Sequence, residues 1–297
     1  MSAFQRIVFP VDFSPRCEAT APFVEEMVRK NNAALSLLHV VEFPFYAYGG
    51  VMTESPVVWE SFEENYRNGQ RNLNNFACEH FGELVKTAHV GTVCDRGDPG
   101  YAILALAEKA DADLIMMPTH GDGAFRSFLV GSATVRVLHR ASCAVWTGAH
   151  LEGAGAAHPA AHAEVQRILC ALDLERESPE VLERARDMAE IFSAEVRLVH
   201  CVPVPETGPA EDFLSEFDRF LADSAREKVA KMQVDAGTNF ALSLKGGRIA
   251  AVVRDVALQH AADLVVIGRG HTHAPLSRLR TNAYAIVREA PCPVLSL

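Results

Sequence analysis

Ala112-Asp113-Leu114-Ile115-Met116-Met117-Pro118-Thr119-His120-Gly121 carries an unbroken apolar run into a loop, and after nine intervening residues Gly131-Ser132 opens a helical pattern of Ala133, Val135, Val137 and Leu138. An aliphatic run without polar alternation reads as a strand buried on both faces of a parallel sheet. Working outward, Ile7–Val11, Leu35–Val41, Lys86–Val93 and Cys143–Trp146 join Leu114–Met117 as strands of the same kind. Helical patterns separate them: Pro22–Lys30 with charges at the spacing of a solvated face, and Tyr101–Ala110 behind Asp98-Pro99, a cap followed by proline in the first turn. Alternating strand and helix with right-handed crossovers gives a doubly wound α/β sheet.

The pattern is then written a second time. Arg6-Ile7-Val8-Phe9-Pro10-Val11-Asp12 recurs 161 residues later, from Asp12 to Asp173, as Arg167-Ile168-Leu169-Cys170-Ala171-Leu172-Asp173. Leu37-Leu38-His39-Val40 returns as Leu198-Val199-His200-Cys201, Asp113-Leu114-Ile115 as Asp263-Leu264-Val265, and Ala141-Ser142-Cys143-Ala144-Val145 as Ala290-Pro291-Cys292-Pro293-Val294. Four landmarks in one order at so long a period mean duplicated domains, not a solenoid. The expected division is residues 1–148, a linker at 149–163 rich in alanine, glycine and histidine, and residues 164–297. Long helical stretches, Glu54–His80 and Ala210–Ala236, follow the second strand of each copy.

Bulk properties narrow the partners. A formal net charge of −10 speaks against nucleic acid or an anionic membrane, both of which reward a basic surface. Seven scattered cysteines, none spaced as C-x-x-C, read as small hydrophobes in a reducing compartment, so the cytoplasm is the expected location. No segment has the pattern of a membrane span or a secretory leader.

In an open parallel sheet, ligands gather beyond the carboxyl ends of the strands where strand order reverses. Pro10-Val11-Asp12, Val40-Val41 and the segment from Met117 through Ser132 all arrive there. Asp12 suits a hydrogen bond from a ribose hydroxyl or an adenine amino group; equally it suits the cap of the helix that follows Ser14-Pro15. Gly121 admits close backbone approach to a phosphate, and Gly131-Ser132 sits where a helix amino terminus presents free N–H groups and a positive dipole end. There is no G-x-x-x-x-G-K-[ST] loop, no G-x-S-x-G elbow and no H-E-x-x-H pair. His39 and His200, at matching strand ends, point to a shared packing role. The second copy departs from the first: Ile267-Gly268-Arg269-Gly270-His271 is followed after nine residues by Thr281-Asn282, so two glycines are lost and Arg269, Arg278, Arg280 and Arg288 gather without an acid among them.

These residues resemble the universal stress protein family in its tandem two-domain form, over all of the chain except the linker. The family's nucleotide motif is glycine, two residues, glycine, nine residues, glycine, then serine or threonine; the first copy matches it at Gly121, Gly131 and Ser132 and departs at Pro118, which has no N–H to donate. The resemblance implies two doubly wound, parallel, five-stranded Rossmann-like sheets of the adenine nucleotide alpha hydrolase kind, paired as an intrachain pseudo-dimer through Ala144–Trp146 and Pro293–Leu295, with further homodimerisation open. It implies ATP, with or without Mg2+, as the ligand of the first copy. Asp12 and Val40 would face adenine or ribose, and Gly121, Gly131, Ser132, Ala133 and Thr134 would wrap ribose and phosphates. Pro10, Val11, Met117 and Pro118 complete the set at the strand ends. The implied function is a nucleotide-binding regulatory module of the stress response; a slow ATPase and a scaffold that binds no nucleotide are the alternatives.

Overall fold

Asp113 and Asp263 show why the Ala-Asp-Leu block is repeated. Each carboxylate takes two backbone N–H groups at the start of the neighbouring strand, from Gln5 (2.7 Å) and Arg6 (3.0 Å) in one copy and from Gln166 (3.0 Å) and Arg167 (2.8 Å) in the other. The arginine that follows then donates Nε to a backbone carbonyl, Arg6 to Asp111 and Arg167 to Ala261. Donors that would otherwise be orphaned at a strand edge are thereby satisfied, and the register of the central strand is set.

The computed structural model describes residues 3–42, 56–87, 89–119, 130–148, 164–202, 216–269 and 278–297. Its contacts divide the chain into a unit of residues 4–145 and a unit of residues 146–297, to which Ala3 is joined. In the first copy the order is β1 (Arg6–Pro10), α1 (Pro15–Asn31), β2 (Ala34–Val41), α2 (Pro56–Lys86), β3 (Val90–Arg96), α3 (Pro99–Lys109), β4 (Leu114–Met117), α4 (Ser132–Arg140) and β5 (Ala144–Thr147). The second has β6 (Arg167–Ala171), α5 (Ser178–Phe192), β7 (Glu195–Val202), α6 (Glu216–Ala236), β8 (Ala241–Gly246), α7 (Ile249–His260), β9 (Leu264–Ile267), α8 (Arg278–Glu289) and β10 (Val294–Ser296). Strand order is β3-β2-β1-β4-β5 and, in the same sense, β8-β7-β6-β9-β10. The pairings of β1 with β2 and β4, of β2 with β3, and their counterparts around β6 and β7 are parallel. Order therefore reverses between β1 and β4, and between β6 and β9, which opens a crevice at each carboxyl edge.

Two sequence expectations need correction. The strand expected at Lys86–Val93 lies at Val90–Arg96, because α2 runs on to Lys86 beyond a kink at Phe81 (φ −130°, ψ 23°). The helix expected at Pro22 starts at Pro15: Ser14 is its cap, accepting from Cys17 N–H, while Pro22 sits inside the helix. The fourth and fifth strands, together with the first two, fall within one residue of expectation. The linker at 149–163, residues 54–55 and residues 210–215 lie outside the described residues. Among the described residues no helix is long and apolar enough to cross a membrane. None of the seven cysteines is in a disulfide; Cys17, Cys170 and Cys292 are buried as small core hydrophobes, burial pushing the Cys17 thiol up to about 12 and raising the other two, whereas Cys94, Cys143 and Cys201 are half-buried and Cys78 is exposed, against expectation.

The two copies brace their last two helices with opposite polarity. Asp98 caps α3 through the Tyr101 N–H (3.1 Å) and pairs with Arg136 of α4. At the same place before α7 stands Arg248, which grips Glu289 of α8 with two 2.7 Å hydrogen bonds. Hydrogen bonds from Arg248, then from Arg288, hold the Glu289 carboxyl down to about 2 from its ordinary 4.5. A depressed carboxylate contributes stability above pH 4.5 and loses it as pH falls through its folded value. The bare shift corresponds to about 3 kcal/mol, but Arg248 is 60% exposed, and screening reduces the expected contribution to about 1 kcal/mol. Glu289→Gln is expected to be about 1 kcal/mol less stable than the parent near neutrality, with the difference vanishing as pH approaches about 2. Urea unfolding of both proteins across that range checks it; a difference that stays constant with pH would refute it.

Candidate functional site

At the crevice of the first copy, β1 ends in a turn built against its neighbours. Val11 N–H donates to the Leu38 carbonyl (2.7 Å), and the Val11 carbonyl accepts from Nδ1 of His39 (2.8 Å). A carbonyl only accepts, so the His39 proton sits on Nδ1 and the ring is a clamp on the backbone. Beyond it Asp12 is exposed, its Oδ1 accepting from the Ser14 N–H (3.0 Å) and the Ser14 hydroxyl (2.7 Å). Ser14 in turn caps α1. The cap reading of Asp12 is corrected: Asp12 braces Ser14, which is the cap, and its carboxylate is exposed at the end of β1. Between them Phe13 takes φ 61°, a left-handed conformation that costs a bulky residue about 1–2 kcal/mol.

The second copy repeats this turn closely. Leu172 N–H donates to the Val199 carbonyl (2.9 Å), and His200 Nδ1 donates to the Leu172 carbonyl (2.8 Å). Leu174 takes φ 63°, and Asp173 Oδ1 accepts from the Glu175 N–H (2.9 Å) and the Ser178 hydroxyl (2.7 Å). Strain kept twice at one place, beside a conserved-geometry carboxylate, marks a built feature. The matching positions of His39 and His200 were the sequence signal; the clamp they form was not readable from it.

On the far side of the first crevice, β4 ends at Met117, whose side chain packs in the core with Val8, Leu38, Ile115 and Val137. Val40 is partly buried against the same cluster, Pro10 is half-buried and Val11 buried. Pro118 and Thr119 are buried; the Thr119 carbonyl accepts from the Gly131 N–H (2.9 Å), and the Pro118 carbonyl accepts from the Thr134 hydroxyl (3.3 Å). The Thr134 side chain is therefore structural, and what it can offer a ligand is its backbone N–H. Gly131 is the N-cap of α4 and supplies no side-chain cap; its carbonyl accepts from the Val135 N–H (2.9 Å). The N–H groups of Ser132, Ala133 and Thr134 accordingly have no acceptor within the helix. Ser132 is exposed and Ala133 half-buried. Gly121, with His120, Asp122 and Arg126, lies outside the described residues. Among the described residues no cluster of three histidine, cysteine, aspartate or glutamate side chains is arranged to hold a metal.

The second crevice holds a cavity of about 520 Å3 at the ends of β6, β7 and β9. Asp173, Glu175, His200, Lys228, Arg269 and Asn282 are among its polar lining; Leu172, Val199, Val202, Ile267 and Ile286 are among its apolar walls. Lys228 of α6 was not singled out in the sequence, where nothing distinguishes it from a solvated helix lysine. Gly268, read from sequence as a surviving motif glycine, has a packing reason of its own: a Cβ there would lie 3.2 Å from Val181 Cγ2 of α5. Arg288 pairs with Glu289 (2.9 Å) and Arg269 Nε reaches the Leu297 carbonyl (3.2 Å), so these two arginines serve local structure.

Comparison with known proteins agrees with this architecture. A solved universal stress protein from Archaeoglobus fulgidus superposes with a TM-score of 0.67 at 17% identity, covering 99% of this chain and 96% of that one, a likeness of fold. The universal stress protein A homolog 1 of Coxiella burnetii is 30% identical over 149 residues, 48% of this chain and 96% of its own. A universal stress protein of Methanocaldococcus jannaschii is 30% identical over 146 residues, 48% of this chain and 80% of its own. The model of the universal stress protein family matches residues 3–147 and again 164–297, so this chain, with its duplicated sheet and twice-built aspartate turn, belongs to the universal stress protein family.

Proposed function

We propose that the first copy binds ATP in the crevice between the Asp12 turn and the amino end of α4, and that the protein acts in the stress response as a nucleotide-occupied regulatory module without efficient catalysis. The observation that carries this reading is the amino end of α4. A glycine occupies the cap and offers no side-chain acceptor, the helix itself provides none for its first three N–H groups, and these with the positive end of the helix dipole suit an anion. Asp12 stands across the crevice as an acceptor for ribose or amino donors, and Val11 is fixed on both its backbone groups, so the base-side wall is preorganised. Pro118 removes one N–H donor from the loop; a lost neutral hydrogen bond costs about 1 kcal/mol, which weakens a phosphate site without closing it. Free cysteines in a reducing compartment and a net charge of −10 fit a cytoplasmic protein whose partner is a nucleotide and not a nucleic acid.

Nucleotide extracted from freshly purified protein, or titrated by calorimetry into nucleotide-free protein, is expected to show a single ATP equivalent per chain. Two equivalent ATP sites, or none, would overturn the reading.

A further inference from the structure

The second crevice has kept one half of the site and lost the other. The 150-residue offset from Asp113 to Asp263 places Gly131-Ser132 opposite Thr281-Asn282. Helix α4 begins at Ser132, whereas α8 begins at Arg278, a full turn before the equivalent Asn282. In an α-helix each N–H from the fifth position on donates to the carbonyl four residues back. The N–H groups of Asn282, Ala283 and Tyr284, counterparts of the three left over in α4, are therefore spent inside α8. The cavity meets the side of α8 through Asn282, Ala283 and Ile286, a full turn beyond the start of that helix, and Ile249, the first residue of α7, also lines it.

The other half is intact. The Asp173 turn and the His200 clamp reproduce their first-copy geometry, and Asp173 Oδ2 has no hydrogen bond among the described residues, so it is available to a hydroxyl or amino donor. The walls are mostly aliphatic and suit a flat ring, and the cavity's charges are balanced, Asp173 and Glu175 against Lys228 and Arg269.

We propose that the second copy is a nucleoside site that excludes polyphosphate: it takes a heteroaromatic ring with ribose-type hydroxyls donated to Asp173, and rejects a triphosphate because α8 occupies its path and keeps its own amides. The proposal rests on reading the crevice as a nucleotide-type pocket and assigns the two copies different ligands. Such a chain reports on two pools at once, the triphosphate in one unit and the dephosphorylated nucleoside in the other.

The test uses the full-length protein saturated with ATP and then titrated with adenosine. One further equivalent of adenosine is expected, with ATP weaker than adenosine at that site by about tenfold or more. Ala283→Trp, which fills the cavity from α8, and Ser224→Trp, which fills it from α6, are each expected to remove adenosine binding and leave the ATP equivalent; circular dichroism and a thermal melt verify that each variant is folded. Gly131→Val is expected to remove ATP and leave the adenosine that Ala283→Trp eliminates. The proposal is overturned by uptake of two ATP per chain, by absence of adenosine binding to ATP-saturated protein, or by adenosine binding that survives both tryptophan variants. Loss of ATP from the parent alone would count against the first-copy site only, since adenosine sensitive to Ala283→Trp reads the second copy by itself.

Discussion

Gly131→Val is expected to abolish ATP binding, with affinity falling by about 100-fold or more, while the protein stays folded. The two halves of that expectation have separate physical grounds. Gly131 has φ −59° and ψ 150°, an extended conformation open to any residue and favoured by β-branched ones, so the backbone stores no strain on substitution. The cost to stability is that of replacing a permissive cap by a poor one, about 1 kcal/mol, which shifts the melting temperature of a domain this size by only a few degrees. The cost to binding is larger because the site is made of close backbone approach. Two methyl groups on Cβ would stand beside the Ser132 and Ala133 N–H groups, where an anion must come within hydrogen-bond distance. Gly131→Ala is expected to fall between the parent and the valine variant. Calorimetric titration with ATP, alongside a thermal melt, separates the two effects. Retention of parental affinity by the valine variant would place the nucleotide somewhere other than the amino end of α4.

What the sequence made legible was whatever is buried on both sides. The strands at the centre of each sheet are near-continuous aliphatic runs, and Leu114–Met117 and Leu264–Ile267 are buried at every position. β3 was misplaced because it is an edge strand: most of Val90–Arg96 is exposed, its end is Cys-Asp-Arg, and no apolar run announces it. The helix before it extends past His80 because Phe81, although non-helical in its own dihedral angles, is fully buried and lets the chain resume. Pro22 misled in the other direction, since proline is expected at a helix start and here Pro15 holds that place. At the site, the residue types were legible and their division of labour was not. Asp12, Ser14 and His39 are each explicable alone, but only the geometry shows Asp12 holding Ser14, Ser14 capping α1 and His39 holding Val11. The extra turn of α8 was likewise hidden: Arg278-Leu279-Arg280-Thr281 has no capping signature, and the lost glycines told only that the loop had changed.

Phe76→Ala is expected to lower unfolding free energy by about 3–5 kcal/mol and to weaken ATP binding in the same variant. Phe76 lies in α2, is 6% exposed, and its ring centroid stands 6.3 Å from Phe9, 6.2 Å from Phe81 and 6.2 Å from Phe13. Truncation removes the centre of that cluster, and the cavity term adds to the lost burial because Phe9 and Phe81 cannot both collapse into the space. The functional half follows from Phe13. Its left-handed backbone is unfavourable by itself and persists because the ring is held, by Phe76 on one side and by His39 at 4.5 Å on the other. With Phe76 gone, the turn can relax toward ordinary dihedrals and carry the Asp12 carboxylate out of place, for an expected loss in ATP affinity of about tenfold. Phe76→Leu fills much of the volume and is expected to recover most of the stability and part of the affinity. Urea unfolding and ATP titration on the same preparations decide the matter. If stability falls as expected and ATP affinity does not move, the His39 clamp alone holds the turn, and the aromatic cluster belongs to the core and not to the site.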